Sequence, residues 1–405
     1  MGDVKRHIDD DERRARLGVR HGLATPVADT LAAARAVACL HATEPASVHL
    51  AAWARSGAGR DEVDRALYVD RSVVKQLAMR RTVFAFPREL LPAVWGSASA
   101  RVAGQQVRRL AKETESAGIT SDGGAWAREH LDLVLGLIER EGPLTAAQVR
   151  LALPALDTRV TRGKGQYQAD VAVAASVIVT LAAAGEIVRG ENDGGWKTSR
   201  PRWATTRDWL GEAREPLPER EGYAALVEAW LRSFGPGTES DLVWWLGATK
   251  SAVRRALDDL GAVAVSLDGG AVGWVMPDDL APVADPGPWV ALLPALDPTT
   301  MGWKERDFHL GPHGGPLSSK VFDRNGNGGP TAWWNGRIVG VWCQRDDGAV
   351  DLVLTEDVPR AARRALDAKA AELSSWLDGD VVRSVYLSPL AREHLASVGS
   401  GAALA

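Results

Sequence analysis

The sequence predicts an α+β protein in which helical units that end in β-hairpins are repeated and a segment of strands follows. Two stretches of the chain share one order of helices, glycine breaks and strand patterns. Glycines and prolines stand where these elements begin and end. After Pro288 the spacing of apolar residues changes from helical to strand-like. The length of 405 residues is enough for about two to four domains.

The repeat is defined by a Gly-Pro break, a threonine at a helix N-cap, and a glycine that ends the third helix before a strand. These positions are Gly142, Thr145 and Gly185 in the first copy and Gly235, Thr238 and Gly261 in the second. The predicted third helices run from Gln168 to Ala184 and from Lys250 to Leu260, and a second helix runs from Glu239 to Leu246. Three helices and a hairpin are the order of a winged helix, so the chain carries at least two such units.

A third unit is plausible before the first copy. Its predicted helices are Thr25 to Leu40, Gly59 to Leu67 and Asp70 to Met79, and a strand follows at Thr82 to Phe86. Near the C-terminus, the pair Asn335-Gly336 between two apolar runs is a strong hairpin signal. The predicted elements there are strands at Thr331–Trp334, Arg337–Trp342 and Val350–Thr355, a helix at Val358–Trp376 and a last strand at Val381–Leu387.

Composition excludes several classes of protein. The net charge of -4 gives no overall basic balance, so any DNA-binding surface must be local. Cys39 and Cys343 are far apart and show no metal-ligand spacing, which supports neither a disulfide framework nor a zinc site. The N-terminus lacks the apolar core of a signal peptide, and no apolar stretch is long enough for a bilayer. We therefore expect a cytoplasmic protein.

Basic residues form local clusters that recur at similar places in the repeated units. Taken alone, each cluster is more often a solvated surface than a phosphate-binding track. The clusters are Arg71, Lys75, Arg80 and Arg81; Arg101, Arg108 and Arg109; Arg159, Arg162 and Lys164; and Arg189, Lys197, Arg200 and Arg202. A P-loop, a Gly-x-Ser-x-Gly elbow and a His-Glu-x-x-His zinc motif are absent from the sequence. Residues 325–329 are interpreted as a turn rather than as a phosphate loop.

The most informative segment is residues 39–45, where an alanine-rich helical pattern meets Pro45. Proline biases Glu44 toward an extended backbone, in which residues two apart lie on one face. His41 and Thr43 are therefore directed together. From these residues alone two interpretations stay open: a reactive pair, or polar groups that only satisfy a helix end.

Six segments of the chain, one of which contains this loop, carry a resemblance to a known family. They are residues 40–50, 70–72, 79–87, 293–298, 301–304 and 322–327. In these segments the chain resembles the bacterial winged-helix DNA glycosylases of the AlkZ-like group, which contains the azinomycin-resistance enzyme and enzymes that unhook interstrand crosslinks. The resemblance covers nearly the whole chain. The best-known members carry Gln-x-Gln where this chain has His41 and Thr43, so the chain resembles a variant branch.

The resemblance implies three tandem winged helices that form a concave, C-shaped, basic surface, completed by a small C-terminal β-sheet or barrel domain. The expected domains are residues 15–110, 111–215, 216–285 and 286–396. It also implies a monomer that excises bulky or cationic N7-alkylated purines from double-stranded DNA, without cofactor, metal or lyase chemistry. Such a protein would be associated with the nucleoid.

On this hypothesis the loop supplies the reacting groups. Neutral His41 orients or deprotonates a water, and Thr43 holds it. Glu44 either supplies negative charge near the developing sugar cation or only caps and buttresses the loop.

Other residues are candidates for contacts with DNA. Arg71, Lys75, Arg80 and Arg81 are candidates to hold phosphates, and Lys304, Arg324 and Asn325 to close over a groove. For each of them a surface salt bridge or a turn is the simpler role. The rival hypothesis is a winged-helix DNA-binding protein without catalysis, either a transcription regulator or a lesion-binding protein. Several winged helices in one chain favour a monomer on a single site, and hence the glycosylase.

Overall fold

A computed structural model of the chain describes residues 4–162, 169–311 and 315–402. The chain divides into two compact units. The first unit combines Met1–Val63 with Val227–Ala405, and the second is Asp64–Leu226. The mixture of helices and strands confirms the predicted α+β class. Within the described ranges, no helix has both the length and the apolar character needed to cross a membrane.

Helices account for most of the regular structure. In chain order they are α1 (Asp10–Arg20), α2 (Thr30–Ala36), α3 (Pro45–Ser56), α4 (Arg60–Asp64), α5 (Leu91–Val94), α6 (Ala100–Ser116), α7 (Gly123–Glu141), α8 (Ala146–Ala152), α9 (Ala174–Ala184), α10 (Thr206–Leu210), α11 (Glu219–Phe234), α12 (Glu239–Leu246), α13 (Lys250–Asp259), α14 (Pro298–Met301), α15 (Asp307–Leu310), α16 (Gly315–Val321), α17 (Arg360–Leu377) and α18 (Pro389–Ala402). Helix α4 continues into a π-helical turn, Arg65–Val69.

The strands are short. They are β1 (His7–Ile8), β2 (Leu40–His41), β3 (Val73–Ala78), β4 (Thr82–Pro87), β5 (Arg159–Arg162), β6 (Ala169–Ala172), β7 (Ile187–Asn192), β8 (Pro201–Thr205), β9 (Val263–Leu267), β10 (Val272–Val275), β11 (Val290–Leu293), β12 (Thr331–Trp334), β13 (Arg337–Gln344) and β14 (Val350–Leu354). The first unit contains the sheet β1-β9-β10, with β1 parallel to β9, and the antiparallel sheet β11-β12-β13-β14. The second unit contains the antiparallel pairs β3–β4, β5–β6 and β7–β8.

Elements with strong local signals are confirmed. Helix α12 has the predicted bounds, and its N-cap Thr238 forms a capping box with Asp241. Thr145 forms the equivalent box with Gln148 at the start of α8. The hairpin around Asn335-Gly336 joins β12 and β13 with Trp334 paired to Arg337. Each of these features is specified by a few neighbouring residues.

The core of the second unit lies between α6, α7, α9 and the β7–β8 hairpin. Its buried side chains include Leu110, Val134, Ile138, Val177 and Trp203. Helix α9 is apolar around most of its circumference, which suits a helix enclosed on several sides. Gly185 ends this helix in the left-handed region at φ 75°, as the predicted glycine stop requires.

Three predictions from the sequence are wrong in the structure. The helix expected from Asp70 to Met79 is strand β3, because its residues are buried on both faces and pair with β4. The helix expected to reach Leu40 ends at Ala36, and Ala38 follows it in the left-handed region at φ 58°. The strand expected at Val381–Leu387 is irregular chain.

The third helix of the first repeat also begins later than predicted. Its predicted start, Gln168, lies outside the described residues, and Ala169–Ala172 is strand β6 before α9 begins at Ala174. This strand pairs with β5, so a hairpin stands where the sequence pattern indicated loop and helix.

Candidate active site

The candidate catalytic loop lies in the first unit, between strand β2 and helix α3. Glu44 is the N-cap of α3 with an extended backbone, and Pro45 occupies the first turn, where its missing N–H is tolerated. The helix ends at Gly57, whose φ of 73° is the usual glycine stop. His41 and Thr43 therefore stand immediately before a helix N-terminus, whose dipole favours negative charge nearby.

His41 and Thr43 contact each other. The backbone N–H of Thr43 donates to His41 Nδ1 at 3.4 Å, and the His41 side chain is buried. In a neutral imidazole, an acceptor at Nδ1 assigns the ring proton to Nε2. The imidazole in this state offers an N–H donor, which orients a water or a polar lesion atom more readily than it accepts a proton.

Glu44 is directed toward the C-terminal segment of the first unit. Its carboxylate accepts from the Ser384 hydroxyl at 2.8 Å and from the Val385 backbone N–H at 2.7 Å. It makes no capping hydrogen bond to its own helix. Burial raises the pKa of Glu44, and the bonds from residues 384–386 only partly oppose this. These contacts favour the buttressing role over the electrostatic one.

A buried ion pair anchors the far end of α3. Arg55 Nη2 and Nη1 donate to the two carboxylate oxygens of Asp297 at 2.7 and 2.9 Å, and both side chains are 0% exposed. Asp297 also accepts the backbone N–H of Thr299 and so caps α14. Near the start of α3, the Ser47 hydroxyl donates to the Ala295 carbonyl at 3.1 Å. Residues 295–299 thus contact helix α3 near both of its ends.

The ion pair continues into a buried hydrogen-bond chain. Arg55 donates to the Thr299 hydroxyl at 2.7 Å, and this hydroxyl lies 2.8 Å from His21 Nδ1. His21 Nε2 lies 3.1 Å from the Ser233 carbonyl and donates to it. Burial, and then the charge of Arg55, hold the pKa of His21 well below its usual range, so the ring is neutral. The network joins the ends of α1, α3 and α11 to the start of α14.

Sequence reasoning missed the role of this network. Arg55 directly follows the apolar helical residues 50–54, which is a signal for a buried and paired cation. Asp297-Pro298 has the pattern of an N-cap followed by a first-turn proline. These signals indicate a helix start and a buried charge separately, but not that the two meet.

Two of the proposed phosphate ligands are engaged inside the second unit. Arg71 donates to the Trp209 carbonyl, and its guanidinium lies 4.1 Å from the centroid of that indole ring. Lys75 is buried, and its Nζ donates to the Tyr68 hydroxyl at 2.7 Å. Burial lowers the pKa of Lys75 to about 8, with the charge of Arg189 acting in the same direction. Lys75 can contact a phosphate directly only if its hydrogen bond to the Tyr68 hydroxyl breaks.

Replacing Lys75 by methionine is expected to stabilise the protein at pH 7 by about 1–2 kcal/mol. Lowering a lysine pKa from 10.5 to about 8 corresponds to roughly 3 kcal/mol, of which about 1 is offset by the lost bond to Tyr68. The penalty is present below the folded pKa and disappears as the pH rises toward the unfolded value. Chemical denaturation at pH 7 and pH 10 should show the advantage shrinking, and no advantage at pH 7 would contradict this account.

Arg80 and Arg81 lie at the exposed tip of the β3–β4 hairpin. Both have a left-handed backbone, with φ of 55° and 59°. Asparagine or glycine is the usual residue at such turn positions, and other residues pay roughly 1–2 kcal/mol in steric strain there. Two exposed cations at strained positions are more consistent with a binding role than with a stabilising one.

Lys304, Arg324 and Asn325 are exposed in the first unit. Lys304 Nζ donates to the Ser240 hydroxyl at 3.1 Å, and its backbone N–H donates to Asp241. Arg324 and Asn325 belong to a turn in which the Asp323 carboxylate accepts the backbone N–H groups of Asn325 and Asn327 at 2.8 and 2.9 Å. This confirms the predicted turn at residues 325–329.

A cavity of about 960 Å³ in the first unit does not contain the candidate loop; Arg13, Thr238, Asp268, Phe308 and Arg337 are among its lining residues. A duplex is bound on a surface, so the chemistry need not lie in an enclosed cavity. Among the described residues, no cluster of three or more histidine, cysteine or acidic side chains is arranged to hold a metal ion. Both cysteines are buried, and neither forms a disulfide.

Comparison with known proteins defines the class. The family model for AlkZ-like DNA glycosylases matches residues 34–376, so the chain belongs to this family of DNA repair enzymes. The match includes the candidate loop, the β3–β4 hairpin and the Asp297 segment.

A particular protein of this family has a similar structure. DNA glycosylase AlkZ of Streptomyces sahachiroi superposes with a TM-score of 0.71 and 20% sequence identity, over 93% of this chain and 98% of that chain. At this level of identity the likeness concerns the fold. None of the curated proteins compared by sequence is significantly similar to the chain.

Proposed function

We propose that the protein is a monofunctional DNA glycosylase that hydrolyses the N-glycosidic bond of N7-alkylated purines, including bulky or crosslinked ones, in duplex DNA. Its role would be DNA repair or self-resistance to an alkylating genotoxin. The observation that carries the proposal is the His41–Thr43 contact immediately before the N-terminus of α3. Family membership supplies the reaction class, and this pair supplies groups suited to orient water.

The proposed chemistry makes modest demands on the protein. An N7-alkylated purine already carries positive charge, so it leaves the sugar readily as the glycosidic bond breaks. The protein then needs to position a water on the sugar side and to favour an oxocarbenium-like transition state. A polarising metal is unnecessary because the leaving group is already cationic. Lyase chemistry requires an amine nucleophile, whereas residues 41–44 offer imidazole, hydroxyl and carboxyl groups.

In the proposed mechanism, the glycosidic bond breaks with its electron pair passing to the cationic base, which leaves as a neutral purine. His41 donates from Nε2 to a water that Thr43 holds in line with the bond. This water adds to C1′ of the oxocarbenium-like sugar and releases its proton to solvent water. The Thr43 N–H directed at Nδ1 supports orientation rather than deprotonation as the role of the imidazole. Glu44 holds the C-terminal segment against the loop through Ser384 and Val385.

Replacing Glu44 by glutamine is expected to change the rate of base release by less than about threefold, because a glutamine keeps an acceptor for Val385 and a donor for Ser384. Glu44→Ala loses both bonds and should lower the thermal stability. If the carboxylate instead stabilised the sugar cation, Glu44→Gln would lose about 10²–10³ in rate. Single-turnover base release by the two variants distinguishes these roles.

The proposed DNA-binding surface consists of tandem winged helices over residues 15–110, 111–215 and 216–285, with a C-terminal β domain over 286–396. The order α7-α8-α9-β7-β8 and the order α11-α12-α13-β9-β10 support two of these units. Arg80, Arg81, Lys304, Arg324 and Asn325 are proposed to contact the duplex. Arg71 and Lys75 are proposed to act mainly through Trp209 and Tyr68.

The proposal is tested by single-turnover base release from duplexes carrying N7-methylguanine or a bulky N7 adduct, with an undamaged duplex as control. Release of the damaged base, with an intact abasic strand until alkali is added, is the expected result for a monofunctional enzyme. Tight duplex binding without release from either substrate would instead indicate a non-catalytic DNA-binding protein.

A further inference from the structure

A groove of about 800 Å³ in the second unit lies outside the candidate catalytic loop and brings together residues from two of the basic clusters in the sequence. It runs between helix α6 and strand β5. The side chains that give it its character are Arg108, Arg109, Lys112, Glu113, Arg159 and Thr161. Arg108, Lys112 and Arg159 are exposed. Arg108 and Arg159 are 51 positions apart in sequence, and both place their positive charge on this groove.

The charge of the groove is strongly positive. Glu113 is the acidic residue among the described lining residues. Its carboxylate accepts from Arg109 Nε at 2.7 Å and from Arg162 Nη2 at 2.9 Å. Within the described part of the chain, Arg108 and Lys112 form no ion pair. Arg159 donates to the Asp170 backbone carbonyl at 3.2 Å. Because a carbonyl carries no net charge, this bond does not neutralise the Arg159 guanidinium.

The cations of this groove repel one another, and a bound anion would relieve that repulsion. Like charges four residues apart on a helix, as at Arg108 and Lys112, slightly destabilise the helix. Arg159 adds a cation from strand β5 to those of helix α6. Ordinary surface cations are interspersed with acids, whereas here the acid is already bound by two other arginines.

The spacing of the cations suits a phosphate backbone. Arg108 and Lys112 lie on one face of α6, about 6 Å apart along its axis. Phosphates of one DNA strand advance by about 3.4 Å along the duplex axis per nucleotide, so the two cations can reach phosphates about two nucleotides apart. Among the lining residues that the structure describes, none is aromatic, whereas single-stranded nucleic acids commonly require aromatic side chains for base stacking.

We propose that the groove between α6 and β5 binds the phosphate backbone of duplex DNA independently of the lesion. The proposal deepens the proposed function by adding a binding surface to the same protein, and it takes duplex DNA as the partner from that function. Phosphate contacts of this kind supply affinity and register but no sequence information.

The test compares two triple variants of the full chain that remove the same charge. The groove variant combines Arg108→Gln, Lys112→Gln and Arg159→Gln, and so removes three cations from the groove lining. The control variant combines Arg128→Gln, Arg140→Gln and Arg207→Gln. These three arginines are exposed in the same unit but do not line the groove. Affinity for an undamaged duplex is measured over a salt series, and thermal unfolding checks that both variants fold.

The groove variant should weaken duplex binding about tenfold or more and reduce the slope of log affinity against log salt by about two to three. The control variant should keep the wild-type slope, and Lys112→Gln alone should reduce it by about one. Equal slopes in the two triple variants would overturn the proposal. So would a groove variant that loses binding to single-stranded RNA while it binds duplex DNA like the control.

Failure of this inference is distinguishable from failure of the glycosylase proposal. The salt series uses undamaged duplex, so a slope difference stands even if the wild type releases no base. Conversely, base release by the wild type together with equal slopes removes the groove proposal alone.

Discussion

Replacing His41 by alanine is expected to slow the chemical step of base release by about two to four orders of magnitude, with duplex affinity nearly unchanged. The imidazole is the side chain proposed to orient the attacking water, and it lies buried beside the N-terminus of α3. Single-turnover rates with enzyme in excess isolate this step from DNA binding. Equal rates for wild type and His41→Ala would remove the case for His41.

A matched control separates the effect of His41 from the general effect of losing a histidine. His7 also belongs to the first unit, but its side chain is 52% exposed and pairs with Asp268 at 3.0 Å. His7→Ala should therefore keep the wild-type rate. A rate loss in both variants would indicate a folding defect rather than a catalytic role.

His41→Gln distinguishes the two roles that the sequence left open. A glutamine amide donates a hydrogen bond as the Nε2–H does, but it is not a base at neutral pH. If His41 orients water, His41→Gln should recover much of the rate lost in His41→Ala, and the rate should depend little on pH. If His41 deprotonates water, glutamine should not recover activity, and the wild-type rate should fall about tenfold per pH unit in acid.

Breaking the Arg55–Asp297 pair is expected to have the largest effect on stability. Arg55→Met leaves a fully buried carboxylate without its cation and should lower the free energy of unfolding by about 3–5 kcal/mol. The same change releases Thr299, and with it the hydrogen-bond chain to His21. Because the pair anchors α3, base release should also fall at temperatures where the variant is still folded.

Arg232→Met provides the control for this prediction. Arg232 lies in the same unit and pairs with Glu228 at 2.9 Å, but its side chain is 49% exposed. An exposed pair of this kind contributes about 0–1 kcal/mol, so the variant should unfold almost as the wild type does. A similar, small loss in both variants, measured by chemical denaturation, would show that the buried pair does not anchor helix α3.

The sequence predicted correctly the features that depend on neighbouring residues, but it mispredicted elements whose structure depends on packing against other parts of the chain. The capping box at Thr238 and the Asn335-Gly336 turn depend on residues within a few positions of each other, and both are present. Strand β3 was expected to be helical, because residues 70–79 have a spacing compatible with either structure. Burial between neighbouring elements decided in favour of the strand, and burial is not a local property.

The amino-acid sequence alone was enough to indicate the class of protein and the position of the candidate reactive loop. His41, Thr43 and the proline after Glu44 are neighbours in sequence, so their chemistry and the helix that follows them can be read directly. Tertiary structure alone decided what surrounds them. Glu44 meets Ser384, Arg55 meets Asp297, and Lys75 is enclosed beside Tyr68 rather than exposed. The physical reason is that packing selects pairings between residues far apart in the chain, whereas sequence patterns report only on neighbours.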